Sequence, residues 1–423
     1  MKLNTYEQEM LSGKHGEAKR VAMKILSRMG EIYGAEEMIS VESAHIDGCS
    51  YSAVWDAGLD FAEKMEKLGG QVAVPTSLNI TSRDIREWEK FQIPVGFAKK
   101  CERMENAYIN MGCIPTWTCS PYQYGNVPRF GTHIAWAESN AVNYANSILG
   151  ARTERYGDLI DLCCALVGRA PYMGLHKTEN RAAKVVYDIS QIPMKYLEDP
   201  SAFAVLGYLV GKDVKEEIPA VVGAESFVGK EHLKAFSAAS AASGSVGMFH
   251  VIGCTPEART LKEATQGKED TRNVAVDEEM YWHAYEELTH LSEKREEAQS
   301  ADLVLIGCPH LSYDQMEYLY RYLKIGKKNE QVRFLVQTSD MVYQLLSRSG
   351  LARKMEDWGI EFMRDGCILN QPMNDWKLKR VVTNSGKMAY YAPGHLKASV
   401  YFRGMVDCVR SAVEGRVMGP CGK

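Results

Sequence analysis

An α/β fold with mostly parallel sheets is predicted from three observations. Apolar runs such as Asp302-Leu303-Val304-Leu305-Ile306 and Arg333-Phe334-Leu335-Val336-Gln337 are unbroken by polar residues, as strands covered on both faces are. Amphipathic helical stripes alternate with such runs, for example Val21, Ala22, Ile25, Leu26, Met29, Ile32 and Tyr33, so a strand–helix–strand rhythm recurs. The runs end in turns of Gly, Asn, Ser, Cys and Pro, where a parallel sheet gathers its ligands.

Composition narrows the class. The 423 residues, 45% hydrophobic and 25% charged, are those of an ordinary globular protein large enough for several lobes. A net charge of −4 offers no electrostatic attraction for nucleic acid or an anionic membrane. No stretch approaches the roughly 20 apolar residues of a membrane span, and Met1-Lys2-Leu3-Asn4-Thr5 lacks a secretory apolar run. A cytoplasmic location is therefore expected, and the eleven cysteines need a role other than disulfides.

Taken in order, Thr5 and Gln8 read as a capping box for a first helix, and the stripe from Ala18 as a second, ending near Gly34. Val41, Ala44 and Ile46 mark a short strand before the turn Asp47-Gly48-Cys49-Ser50-Tyr51. A helix over Leu59–Leu68 precedes a strand at Gln71-Val72-Ala73-Val74, with Asn79 beyond its carboxyl end. Gly48, Cys49, Ser50 and Asn79 thus stand where a substrate would bind, or they are plain turn residues. A helix is expected over Ser82–Met111, broken at Gln92-Ile93-Pro94, and another from His133 through Leu149. Glu138, Ser139, Asn140 and Asn146 are polar in a packable helix and must be hydrogen-bonded, either bracing the neighbouring loop or facing a site. Arg152 is a candidate bidentate anchor for a carboxylate.

The middle is less informative: a strand at Lys184–Tyr187, a small-residue helix running into a strand at Val246–Val251, and a charged helix over Asp277–Gln299. It holds no Walker sequence and no Gly-x-Gly-x-x-Gly after a strand. The last third returns to α/β: strands at Asp302–Ile306, Arg333–Gln337, Ile360–Met363 and Val381–Thr383, with helices at Tyr313–Leu323 and Met341–Leu351.

Cysteines divide by setting. Cys163 and Cys164 lie in the apolar run Leu159–Val167 and read as core. Cys113 and Cys119 flank a loop kept from helix by Pro115 and Pro121, and their six-residue spacing is too long for a Cys-x-x-Cys clip. Cys308 follows a strand in Gly307-Cys308-Pro309-His310, and Cys367 follows another.

Gly112-Cys113-Ile114-Pro115-Thr116-Trp117-Thr118-Cys119-Ser120-Pro121-Tyr122, Trp136-Ala137-Glu138-Ser139-Asn140-Ala141, Ala145–Thr153, Ile306-Gly307-Cys308-Pro309-His310 and Thr383-Asn384-Ser385-Gly386-Lys387 together resemble the large subunit of the aconitase X family, over essentially the whole chain. The resemblance implies an aconitase-like fold, three α/β subdomains around a central cleft with an iron–sulfur cluster of four or two irons. It implies cluster ligands Cys119, Cys308 and Cys367, with Cys113 nearby but not a ligand, and substrate contacts from Gly48, Cys49, Ser50 and Asn79. It also implies a separate small swivel-domain subunit carrying the proton-abstracting serine, so residues 1–423 form one large catalytic subunit that is inactive alone. The family's archaeal branch dehydrates mevalonate 5-phosphate and usually has Asn-Pro after the strand, where this chain has Asn79-Ile80. Its bacterial branch dehydrates cis-3-hydroxy-L-proline, and Pro115–Cys119 and Arg155-Tyr156-Gly157-Asp158 are similar to that branch.

That reaction needs a base for the C2 proton, an electrophile for the departing hydroxyl and a clamp for the carboxylate. Three thiolates leave one iron open as a Lewis acid, so the three sulfurs are expected within roughly 7 Å of one another. Ser385 and Lys387 are the catalytic candidates of this chain, Lys387 as carboxylate clamp or else a surface lysine after a turn. Glu138 or Asp47 would accept from the substrate nitrogen. The rival readings are mevalonate 5-phosphate dehydration and a non-catalytic cluster-binding scaffold.

Overall fold

The computed structural model describes residues 1–289, 300–372 and 376–420. The chain forms two compact units, Met1–Ala182 with Asp365–Pro372, and Ala183–Arg364 with Met373–Lys423.

In the first unit, strands β1 (Met38–Ser40), β2 (Ala44–Ile46), β3 (Thr76–Leu78), β4 (Ala135–Trp136) and β5 (Arg169–Pro171) form two small sheets. β1 pairs antiparallel with β5, and the other three lie parallel in the order β3-β2-β4. Every residue of β2, β3 and β4 is buried, so the sheet is covered on both faces. Helices Glu17–Ile32, Tyr51–Lys67, Val95–Asn110 and Ile160–Val167 supply that cover, with Leu26, Leu59, Met104 and Leu166 in the core.

The second unit holds two parallel sheets. Strands β6 (Val185–Asp188), β7 (Pro219–Val222), β8 (His250–Val251) and β9 (Arg272–Ala275) are ordered β8-β7-β6-β9. Strands β10 (Leu303–Ile306), β11 (Arg333–Thr338), β12 (Ile360–Arg364), β13 (Arg380–Thr383) and β14 (Ser399–Phe402) are ordered β12-β11-β10-β13-β14. The strand order reverses between β10 and β13, the switch point at which doubly wound sheets bind ligands.

The α/β class with parallel sheets holds, and the buried strands of the last third fall where their apolar runs put them. Local differences have local causes. The first capping box is one residue earlier: Asn4 accepts from the Glu7 N–H at 2.9 Å and Glu7 accepts from the Asn4 N–H at 2.9 Å. Gln71–Val74 is not a strand. Val72 and Ala73 donate to Met111 and Ala165, carbonyls at helix ends, and the pairing strand starts at Thr76. Helix is absent from Ser82 to Pro94, because Asp84 folds its side chain onto the N–H groups of Arg86 and Glu87 in a turn. The segment from His133 opens with β4 before its helix, Ser139–Tyr144. The charged helix described is Glu278–Glu287, and the rest of its expected span, from 290, lies outside the described residues.

Candidate active site

In the first unit, the loops that leave the carboxyl ends of β2, β3 and β4 converge. Asp47–Ser50 follows β2, Asn79 follows β3 and Glu138 follows β4. Ser77 bridges to Ile114, and Thr118 donates to the Leu78 carbonyl at 3.1 Å, so the Cys113–Cys119 loop runs beside β3 and leaves Cys119 at the same end. Thr81 donates to the Asp365 carbonyl at 2.9 Å and bridges to Gly366, while Arg86 reaches Asp365 at 3.0 Å. These bonds lodge the Cys367 segment against the loop after β3. Ser50 completes the attachment, since its Oγ lies 2.8 Å from Ser82 Oγ and accepts from the Asn370 amide at 2.9 Å.

Cys119 and Cys367 consequently share one small apolar cluster with Ile80 and Leu369. None of the described cysteines forms a disulfide. Two thiols on a water-poor apolar wall suit an iron–sulfur group better than a single hard ion. Among the described residues no group of three or more His, Cys, Asp or Glu is placed to hold a metal ion. Cys113 is buried in the core of the first unit, where burial pushes its thiol up to about 12.

Asn79 is buried, and its Nδ2 donates to Asp47 Oδ1. An ionised carboxylate only accepts, so the amide must turn its NH2 toward Asp47. That leaves Asn79 Oδ1 buried with no hydrogen-bond partner, an orphan acceptor of the kind that calls for a ligand. Cys49 is fully buried and donates to the carbonyls of Ile46 (3.3 Å) and Asn79 (3.5 Å), its thiol pushed well up by burial. It holds the turn and has no nucleophilic character.

Glu138 caps the helix after β4, accepting from the Ala141 N–H at 2.7 Å, and Asn140 donates to the Cys119 carbonyl at 3.1 Å. Of the polar group of this helix, Asn140 thus braces the cysteine loop, whereas Asn146 donates to the Thr153 carbonyl at 2.9 Å. Arg152 is not brought to the site. It donates to the His176 carbonyl and to Thr178, and its backbone pairs with His133, before the start of β4. That is the amino-terminal edge of the sheet, so the expected carboxylate anchor is here a brace between loops.

In the second unit, Cys308 leaves β10 and Asn384-Ser385 leave β13, on the two sides of the switch point. Gly307, at φ 104°, makes the turn possible; a Cβ there would lie 2.2 Å from the Gln337 carbonyl oxygen. Ser385 Oγ donates to the Cys308 carbonyl and accepts from the Met388 N–H at 3.0 Å. It therefore caps the helix that follows β13 and braces the Cys308 turn. Buried Lys234, which sequence reasoning missed, donates to the His310 carbonyl at 2.8 Å and to Gln315 at 2.6 Å. Cys308, Asn384, Ser385, Glu231 and Lys234 line a cavity of about 50 Å³. Lys387 lies half-buried in the first turn of helix Gly386–Leu396, where the helix dipole disfavours a cation unless an anion joins it.

Family descriptions for the aconitase X first, second and third domains match residues 1–179, 183–286 and 301–414. The cis-3-hydroxy-L-proline dehydratase of Pseudomonas aeruginosa is 38% identical over 98% of this chain and 70% of its own length. The chain belongs to the aconitase X family. The phosphomevalonate dehydratase large subunit of Methanocaldococcus jannaschii is 37% identical over 95% of this chain and 98% of its own length. The crystal structure of Thermococcus kodakaraensis aconitase X in its holo form superposes with a TM-score of 0.86 at 33% identity, covering 97% of this chain and all of that one. Dehydration is common to the names of these aconitase X relatives, and this chain is a hydro-lyase of the same kind.

Proposed function

We propose that this chain is the large subunit of a cis-3-hydroxy-L-proline dehydratase, which removes the C2 proton and the 3-hydroxyl as water and yields Δ1-pyrroline-2-carboxylate. The choice of substrate rests on one observation, the orphan carbonyl of Asn79 beside the Asp47 carboxylate. A cyclic amino acid brings a protonated nitrogen, whose N–H groups need acceptors. A phosphate brings only acceptor oxygens and calls for N–H donors or cations in that place. Identities of 38% and 37% to relatives named for the two substrates do not separate them; the acceptor favours the amino acid.

Cys119, Cys308 and Cys367 would hold the iron–sulfur cluster, and when bound it supplies an open iron as Lewis acid toward the leaving hydroxyl. The chain's own groups do the rest. Asn79 and Asp47 orient the nitrogen, Lys387 takes the carboxylate, and Ser385 holds the turn that presents Cys308. The base that takes the C2 proton belongs to a separate small subunit. In support, the relatives named large subunits match nearly end to end, whereas the bacterial dehydratase has 30% of its length (100 − 70) outside the match.

Anaerobic assay of the chain co-expressed with a small subunit tests the reading against both substrates. Turnover of hydroxyproline by the pair, with none by this chain alone, is expected. Turnover of mevalonate 5-phosphate only would replace the substrate. A lack of turnover with either, despite cluster absorption, would favour a cluster-binding scaffold.

A further inference from the structure

Asp161 is the one charged residue of the helix Ile160–Val167, which is otherwise Ile, Leu, Cys, Ala and Val. It is fully buried. Desolvating a carboxylate costs several kcal/mol unless hydrogen bonds replace the lost water, so its presence in an apolar helix has to be accounted for. Its own helix uses one oxygen, which accepts from the Leu162 N–H at 2.7 Å. The other accepts from the backbone N–H of Asp47, 114 residues away, at 2.7 Å. The turn after β2 is fixed at two further points: Tyr108 donates to the Gly48 carbonyl at 3.0 Å, and a Cβ on Gly48 would lie only 3.1 Å from the Leu159 nitrogen. From this turn Asp47 orients the Asn79 amide, and Cys49 reaches the Asn79 carbonyl.

Resting on the substrate reading above, we infer that Asp161 is a positioning residue for substrate binding: it holds the Asp47–Ser50 turn by its backbone, and the turn aims the Asn79 carbonyl at the substrate nitrogen. An acidic residue serving only its own helix N-terminus would have no second partner in another segment. Burial pushes the Asp161 carboxyl up to about 7 even with the pull of the N–H groups it binds.

The test compares Asp161→Ala, Asp161→Asn and Asp47→Ala, each in the complex with the small subunit. The alanine variants should raise KM for cis-3-hydroxy-L-proline by about tenfold or more while kcat stays within about threefold, the pattern of lost binding geometry. Asp161→Asn should recover part of the loss, because its amide oxygen still accepts from the Asp47 N–H. The double alanine variant should be no worse than the worse single one, as expected of two members of one chain of contacts. Hydrogen exchange on the full chain should show the Asp47–Ser50 amides speeding up in Asp161→Ala. An unchanged KM, a fall in kcat at unchanged KM, or unchanged exchange in that turn would each overturn the inference. If Asp161→Ala does not fold, Asp161→Asn and Asp47→Ala carry the test. If the wild-type complex ignores hydroxyproline, the substrate reading fails, while the exchange comparison still decides what Asp161 does.

Discussion

The sheets of the two units obey one rule with different chemistry. In both, the functional residues follow the carboxyl ends of parallel strands: β2, β3 and β4 in the first unit, β10 and β13 in the second. The first unit presents acceptors there, Asp47 and the Asn79 carbonyl, beside two cysteines. The second presents one cysteine in a cavity shared with Lys234 and Glu231, and Lys387 stands in the first turn of the helix after β13. Topology fixes where a site can be, and only the few residues after each strand decide its polarity. The cysteines are also held differently. Cys308 sits in a turn braced by Ser385, just past β13 of its own sheet, while Lys234, on the helix between β7 and β8, holds the nearby His310 carbonyl. Cys367 is delivered from far along the chain and fastened by Thr81, Arg86 and the Ser50–Asn370 bond.

The largest effects should come from the thiols. Cys119→Ser, Cys367→Ser and Cys308→Ser should each lower dehydration to background and strip the visible absorption of the purified complex. Cys113→Ser, in the same loop as Cys119, should keep both. If Cys308→Ser kept the absorption while the other two lost it, the second unit would have no part in the cluster.

Next come the two polarities. Asn79→Ala should cost about 10–100-fold in kcat/KM, since hydrogen bonds to charged groups contribute about 1.5–3 kcal/mol. Lys387→Met should raise KM for the carboxylate substrate and leave binding of the corresponding carboxamide unchanged. An equal loss for both compounds would show that Lys387 does not clamp the carboxylate. A smaller effect is expected of Ser385→Ala: about 1 kcal/mol from the missing cap, read as a melting temperature lower by about 2–4 °C, with a few-fold loss of activity through the loosened Cys308 turn. A loss of activity as complete as that of Cys308→Ser would restore Ser385 to the chemistry.

What could be read from the sequence was whatever short range decides. The buried strands of the last third showed as apolar runs, and Cys308 and Ser50 showed as residues just past strands, whereas Asn79 was read past a strand at Gln71–Val74 and in fact follows Thr76–Leu78. The first helix cap slipped by one residue because Asn4/Glu7 and Thr5/Gln8 satisfy the same pattern. Val72 to Val74 have the composition of a strand, yet the N–H partners of Val72 and Ala73 sit at helix ends that no local pattern reveals. The fastening of the Cys367 segment depends on partners some 280 positions away, the separation of Arg86 from Asp365 being 279. Asp161 stood in an apolar run read as core. The signal was present in the run itself, a single carboxylate where every neighbour is apolar.

That carboxylate also gives a prediction in which the sign is the informative part. A carboxyl held up to about 7 in the folded chain, against about 3.9 when unfolded, keeps its proton in the native state after the unfolded chain has released it. Between about pH 4 and pH 7 the native state therefore binds more protons, and stability falls as pH rises through that window. His45, lowered to about 4, and His176, lowered to about 3, both by burial, act oppositely below about 6.5: their stabilisation is lost as pH falls. A plain melting curve would mix these contributions. The difference between wild type and Asp161→Asn removes the histidines, which both proteins share. The melting temperature of the variant should thus gain on the wild type as pH rises from about 4.5 to 7 and hold steady above it. A constant difference would mean that Asp161 is ionised throughout that range, with the N–H groups of the Asp47 turn fully offsetting its burial.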